Sequence, residues 1–174
     1  YRFMNLVRWY RRSGRIAEPG SQGTISFLAD SFTTYSEPHI GQAAVRLLQA
    51  SGWNVELAST GCCGRSALSK GLVDEAKAKA AAMARDLNST GSEDSPIVGC
   101  EPSCLFTLRD EHVTMLPQDA NVQAVAKRVK QIEELLTELH GRRTYIFTPM
   151  RGDKLKLVRM AMKNARDIAE KTDK

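Results

Sequence analysis

The sequence predicts an α/β fold with a mostly parallel sheet flanked by helices. Two observations support this prediction: short apolar runs typical of buried strands alternate with amphipathic stretches of helical spacing, and the alternation extends over most of the 174 residues. A content of 42% hydrophobic residues is enough to bury the core of one ordinary domain. No apolar run approaches the ~20 residues that a membrane-spanning helix needs, so we expect a cytoplasmic protein, with peripheral attachment at the inner membrane face as the alternative.

The elements follow from hydrophobic periodicity. A buried strand is predicted over residues 25–29, followed by a helix that opens near Pro38 and ends at Gly52. Residues 53–57 alternate like a second strand, and a long helix follows over 68–87, weakened near its start by Gly71. The remaining predictions are strands over 97–99, 113–116 and 145–147, an amphipathic helix over 122–139 and a helix from Asp153.

Charge divides the chain into three parts. Lys and Arg outnumber Asp and Glu by five to one in residues 1–20 and by ten to four in residues 140–174, whereas the middle carries ten basic against fifteen acidic residues. We therefore predict a basic N-terminal arm or helix over 1–20, a cysteine-rich α/β domain over 21–140, and a basic C-terminal strand and helix over 141–174 that could pack on the same domain. The basic ends could contact nucleic acid, an anionic membrane or an acidic partner, but a solvated basic face is the favoured interpretation.

Four cysteines form two close pairs in loops at the carboxyl ends of predicted strands. Cys62 and Cys63 follow the second strand, and Cys100 and Cys104 follow the third. The 36 residues between the pairs allow one helical crossover that returns the chain to a neighbouring strand. In a reducing cytoplasm such pairs more often bind metal or do redox work than form disulfides. Soft sulfur ligands select iron–sulfur clusters or zinc, so the four thiolates are predicted metal ligands.

Residues beside the cysteines are predicted to support such a cofactor. Gly61 and Gly64 bracket the first pair and permit unusual backbone angles and close approach of peptide N–H groups. Pro102 and Ser103 fix a turn between the second pair and offer a hydroxyl group. Glu101 is expected to bind the metal only if one of the four cysteines does not.

Other interpretations of the cysteines remain open. A structural zinc site suits four thiolates, but zinc modules usually space each pair as C-x2-C in small, loop-rich folds. A thiol–disulfide protein is disfavoured for the same reason of spacing, and a role as small buried hydrophobes suits isolated cysteines better than pairs. The isolated histidines are expected at the surface or at helix ends; they are His39, His112 and His140.

Three segments together resemble the cysteine-rich "CCG" domain family: residues 29–38 (ADSFTTYSEP), 61–72 (GCCGRSALSKGL) and 99–104 (GCEPSC), the last followed by the triplet 109–111 (RDE). The family includes the iron–sulfur parts of flavin-linked D-lactate and glycolate dehydrogenases, of anaerobic glycerol phosphate dehydrogenase and of the B component of heterodisulfide reductase. Several members place another cysteine where this chain has Asp30 and Ser31.

The resemblance implies an iron–sulfur electron-transfer module, of the 4Fe-4S type, in a flavin-linked 2-hydroxyacid dehydrogenase. Electrons would pass from FAD on a separate domain or subunit, through a cluster on Cys62, Cys63, Cys100 and Cys104, to a downstream acceptor. The chain would then be part of an oxidoreductase without being catalytic alone. The alternative is a non-enzymatic domain with a structural zinc site or a basic nucleic-acid-binding surface.

A second, shorter resemblance lies near the carboxyl end. A segment that begins with residues 149–154 (PMRGDK) resembles part of the C component of the DNA-repair excinuclease ABC. The residues that follow at helical spacing are Leu157, Met160, Ala161, Asn164 and Ala165. The residues themselves indicate an amphipathic basic helix. Nucleic acid is therefore the less favoured partner.

Overall fold

A parallel four-stranded sheet forms the centre of the part of the chain that the computed structural model describes, namely residues 5–14, 21–92 and 94–140. Its strands are β1 (Thr24–Leu28), β2 (Asn54–Ala58), β3 (Ile97–Gly99) and β4 (Val129–Gln131). They lie in the order β2-β1-β3-β4, and every neighbouring pair is parallel. The predicted α/β class with a parallel sheet is confirmed.

The two central strands are buried because both of their faces are covered by helices. Ile25 and Phe27 of β1 contact one cluster of apolar side chains, whereas Leu28 belongs to the other. Side chains alternate across a strand, so neighbouring residues reach opposite faces of the sheet. Every residue of the run 24–28 except Thr24 is buried for this reason.

The helices divide between these two faces. On the face of Phe27, apolar side chains come from α1 (Leu6–Trp9), α2 (Pro38–Ala50) and α8 (Ile132–His140). On the face of Leu28, they come from α4 (Val73–Asn88), α5 (Pro102–Phe106) and α7 (Ala120–Arg128). None of the described helices is both long and apolar enough to cross a bilayer.

The N-terminal residues join this core. Leu6 is fully buried, and Trp9 and Tyr10 lie in the same apolar cluster as β1 and α2. The Tyr10 hydroxyl donates a hydrogen bond to the Val55 carbonyl of β2, and the Arg46 guanidinium of α2 lies 5.3 Å from the centre of the Trp9 ring. Residues 5–14 are thus helical and packed on the sheet.

Three element predictions are wrong or incomplete. The strand predicted over 113–116 is instead mostly part of α6 (His112–Met115), at the end of a helical run that begins at Pro102. The helix predicted over 122–139 is interrupted by β4, because Val129–Gln131 pairs with β3. The helix predicted over 68–87 is divided into α3 (Arg65–Leu68) and α4, since Gly71 adopts φ +76° between them. The strand predicted over 145–147 and the helix from Asp153 lie outside the described residues.

Candidate metal centre

The two cysteine pairs lie on either side of the central strand β1. Cys62 and Cys63 lie between β2 and α3, Cys100 directly follows β3, and Cys104 is the third residue of α5. Since β2 and β3 are both parallel neighbours of β1, their carboxyl ends lie at the same edge of the sheet. The fold thereby brings together two cysteine pairs that are separated by 36 intervening residues in the chain.

Cys63 and Cys104 are in direct contact. Their Sγ atoms are 3.7 Å apart, and Cys63 is only 6% exposed. The hydrogen bond from the Cys104 thiol lowers the pKa of Cys63 to about 6, assisted by the backbone N–H of Arg65 and opposed by burial. The same hydrogen bond, together with burial, raises the pKa of Cys104. Cys63 is therefore the thiol of this pair that ionises first, and thiolate is the form that binds metal.

Cys62 is exposed beside this pair, and the backbone points a donor at its sulfur. The N–H group of Gly64 lies 3.4 Å from Cys62 Sγ. Gly64 adopts φ +84°, in the left-handed region, and a Cβ atom there would lie 3.0 Å from the Ala76 carbonyl oxygen of α4. The turn thus requires glycine at residue 64. The prediction of an unusual backbone angle is wrong for Gly61, which has no positive φ and open space around its Cα.

Cys100 lies in acidic surroundings. Burial raises its pKa to about 12, and the charges of Glu133, Asp30 and Glu101 raise it further in that order. Free Cys100 is consequently a neutral thiol at physiological pH. Binding of a metal ion or an iron–sulfur cluster to Cys100 would release the thiol proton, as metal binding to thiols generally does.

The turn between Cys100 and Cys104 is fixed by Glu101 and Pro102. Pro102 is the first residue of α5, where its missing N–H group costs no hydrogen bond. Glu101 Oε1 accepts from the Ser103 N–H at 3.2 Å and from the Ser103 hydroxyl at 2.5 Å. The Glu101 carboxylate thus caps the first turn of α5, and the Ser103 hydroxyl donates a hydrogen bond to the same carboxylate.

Asp30 lies two residues after the end of β1. Its Oδ1 accepts from the N–H groups of Phe32 and Thr33, at 2.8 and 3.0 Å, and its Oδ2 accepts from the Thr33 hydroxyl at 2.5 Å. The side chain is 7% exposed. Asp30 therefore holds the turn that leads from β1 into α2, and its negative charge acts on Cys100 and Cys104.

The most direct contact to the cysteine loop comes from His112, which the sequence did not indicate as a site residue. His112 lies at a helix end, as the first residue of α6, but it is only 1% exposed and so is not a surface residue. Its Nε2 atom lies 2.7 Å from the Cys63 carbonyl oxygen. Nothing in the local sequence could reveal this contact, because the two residues are 49 positions apart.

The donor set fits a thiolate-bound metal or iron–sulfur cluster in its chemistry. Two sulfurs are already in contact, and backbone N–H groups point at sulfur, as in sites that stabilise bound thiolates. Within the described ranges, no three His, Cys, Asp or Glu side chains converge into a complete metal site. Cys63 and Cys104 therefore form the assembled part of the site.

Two family models match parts of this chain. Residues 29–109 match the family described as the cysteine-rich domain, CCG. Residues 104–172 match a second family, the UvrC ribonuclease H-like domain. The predicted resemblances to both protein groups are thereby confirmed.

Individual relatives agree with these two matches. The chain is 29% identical over 121 residues to the C component of anaerobic glycerol-3-phosphate dehydrogenase from Escherichia coli strains K12 and O157:H7, an alignment that covers 68% of this chain and 30% of the relative. It is 53% identical over 51 residues to UvrABC system protein C of Geotalea daltonii, covering 29% of this chain and 8% of that protein. The chain thus spans less than a third of either relative. No solved structure matches significantly.

Proposed function

We propose that this chain is an iron–sulfur electron-transfer module of a flavin-linked oxidoreductase of the 2-hydroxyacid dehydrogenase type. The observation that carries the proposal is that the CCG turn after β2 and the second cysteine pair after β3 meet at one edge of the parallel sheet. The match of residues 29–109 to the cysteine-rich domain, and the likeness to one component of a dehydrogenase, support it. Its partners would be a flavin-binding domain or subunit and a downstream electron acceptor, in the cytoplasm or at the inner membrane face.

In this function the thiolates of Cys62, Cys63, Cys100 and Cys104 hold a cluster, of the 4Fe-4S type in our prediction, which supplies one-electron transfer when bound. The chain's own residues tune that transfer. N–H donors at sulfur favour the more negative, reduced state, whereas the carboxylates of Asp30, Glu101 and Glu133 beside Cys100 disfavour an added electron. No acid–base group is needed, because the module binds and releases electrons without changing a substrate.

The test is to purify the reduced chain without oxygen and to measure iron, acid-labile sulfide, zinc and the visible spectrum. Iron and sulfide in stoichiometric amounts that disappear in Cys63→Ser would support the proposal. Ser66→Ala is the matched control, because Ser66 is an exposed residue of α3 three positions away. A chain that contains neither iron nor sulfide after anaerobic reconstitution would refute the proposal.

A structural zinc site is the second candidate, and one distance favours it. Two thiolates on one tetrahedral zinc ion, with Zn–S bonds of ~2.3 Å, lie about 3.8 Å apart. The Cys63–Cys104 separation is 3.7 Å, which suits two sulfurs that share one metal atom. Stoichiometric zinc without iron or sulfide would select this candidate. A charge-transfer spectrum with iron and sulfide would exclude it.

Nucleic-acid contact by the basic C-terminal region is a further candidate, favoured by the match of residues 104–172 to a UvrC domain. Phosphate neutralisation by lysine and arginine makes such binding strongly salt-dependent. We would measure fluorescence anisotropy with a labelled duplex at about 50 and 200 mM salt. Binding that weakens steeply with salt would support this candidate, and the absence of binding at the lower salt concentration would exclude it.

A further inference from the structure

His112 and Cys104 belong to one continuous helical run and reach the same residue. The run consists of α5, a π-helical turn over Thr107–Glu111, and α6. From this run, Cys104 Sγ contacts Cys63 Sγ at 3.7 Å, and His112 Nε2 contacts the Cys63 carbonyl oxygen at 2.7 Å. Cys63 is therefore held at two points, through its side chain and through its backbone.

The hydrogen bond determines which ring nitrogen carries the proton. A carbonyl oxygen only accepts hydrogen bonds, so Nε2 of His112 must be the donor. Burial lowers the pKa of His112, because the charged imidazolium is poorly solvated there. At 2.7 Å the contact is short for an N–H···O bond, and both residues are almost fully buried. Loss of the donor would leave a buried carbonyl without this partner.

A neighbouring contact links the same two segments at the surface. Arg65 Nη1, immediately after the CCG turn, lies 3.1 Å from Glu111 Oε1 and 3.5 Å from Thr107 Oγ1. Both acceptors belong to the helical run, but Arg65 and Glu111 are 45% and 35% exposed. An exposed pair contributes little, so the buried contact of His112 is the one that can fix the turn.

We propose that His112 is a positioning residue that holds the backbone of Cys63 against Cys104 and thereby sets the geometry in which the Cys63 thiolate binds its metal or cluster. The metal-binding part of this inference rests on the proposed function. In this scheme His112 acts on the site through the backbone of Cys63, because its Nε2–H group donates to the Cys63 carbonyl oxygen. Residues that orient metal ligands in this way typically change metal affinity about 10–100-fold when they are replaced.

The first experiment uses the metal-free, reduced chain and does not depend on a cluster. Two-dimensional ¹⁵N NMR of labelled histidine should show His112 protonated at Nε2. At a fixed pH of about 8, His112→Phe should accelerate the alkylation of Cys63 several-fold, because release of the turn exposes a thiol that is only 6% exposed in the wild type. Peptide mass spectrometry measures the rate. An Nδ1-protonated ring, or an unchanged alkylation rate in a folded variant, would overturn the inference.

The second experiment uses the anaerobically loaded chain. We compare His112→Gln, whose amide can donate near the Nε2 position, with His112→Phe, and Thr114→Ala serves as control because Thr114 is an exposed residue of α6. Iron should leave to a chelator at least about 10-fold faster from the Phe variant, with an altered EPR spectrum, and near the wild-type rate from the Gln and control variants. If His112→Phe fails to fold, His112→Asn replaces it, because its shorter amide falls short of the carbonyl.

The two possible failures can be told apart. Wild-type chain that loads no iron would refute the proposed function, while the NMR and alkylation results would still decide whether His112 positions Cys63. Wild-type chain that loads iron, with the same chelation rate and EPR spectrum in all His112 variants, would refute the role of His112 and leave the proposed function standing.

Discussion

The turn that carries Cys62 and Cys63 should tolerate alanine at residue 61 but not at residue 64. At Gly64 two costs combine. The left-handed backbone at φ +84° disfavours any residue with a Cβ by about 1–2 kcal/mol. The added Cβ would also lie 3.0 Å from the Ala76 carbonyl oxygen and 3.2 Å from Lys79 Cβ, so α4 would have to shift. Overpacking of this kind costs about 1–3 kcal/mol, and the two costs together should lower the free energy of unfolding of Gly64→Ala by about 2–5 kcal/mol.

Two other glycines separate these costs. Gly71 adopts φ +76° but has open space around its Cα, so Gly71→Ala should cost only the backbone component of about 1–2 kcal/mol. Gly61 has neither a positive φ nor a close neighbour, so Gly61→Ala should change stability by less than about 0.5 kcal/mol. Urea unfolding followed by circular dichroism, on the metal-free and reduced chain, gives all three values by linear extrapolation.

The order of the three variants is the decisive result. If Gly64→Ala is no more destabilising than Gly71→Ala, α4 does not pack against the turn as the Ala76 distance requires. If Gly64→Ala is as mild as Gly61→Ala, the left-handed backbone at residue 64 is also refuted.

Three further predictions concern the core, the β1 turn and the thiols. Phe27→Ala should cost about 3–5 kcal/mol in urea unfolding, because the ring is fully buried in the centre of the sheet. Phe32 is 58% exposed, so Phe32→Ala should cost less than about 1 kcal/mol. Equal effects of the two substitutions would contradict the assigned register. Asp30→Ala should cost about 1–3 kcal/mol through its lost hydrogen bonds, with Asp30→Asn milder, and an unchanged unfolding midpoint would argue against the cap. The pKa of Cys63 is lowered from its ordinary 9.0 to about 6 in the folded chain, so between these two pH values the folded state binds fewer protons than the unfolded state. The free energy of unfolding of the metal-free chain should therefore rise from pH 6 to pH 9. This gain should be lost as the pH falls through 6. Cys104→Ala removes the main cause of the lowered Cys63 pKa and should reduce the rise in stability between pH 6 and pH 9. If the stability of Cys104→Ala depends on pH as that of the wild type does, Cys104 is not the cause of the lowered pKa.

Local patterns were sufficient for the elements whose burial is uniform. The mostly apolar run at 25–29, the alternation at 53–57 and the short run at 97–99 each predicted a strand that the structure contains, with bounds that differ by at most one residue. These predictions succeed because the spacing of apolar residues along a strand or helix follows from which of its faces is buried. The same logic failed at Val129, which has helical spacing from Val125 and Ile132 yet lies in β4. Its strand pairing depends on β3, about thirty residues earlier, and no local period records such a partner.

The sequence by itself determined the class of fold and the position of the two cysteine pairs after strands of a parallel sheet. Only the tertiary structure decided which thiols meet. Cys63 contacts Cys104 from 41 residues away, and His112 reaches the Cys63 carbonyl from 49 residues away. Asp30 likewise proved to hold the β1 turn. The physical reason is that covalent neighbours and periodicity specify local conformation, whereas contacts between distant residues depend on the order in which strands pair.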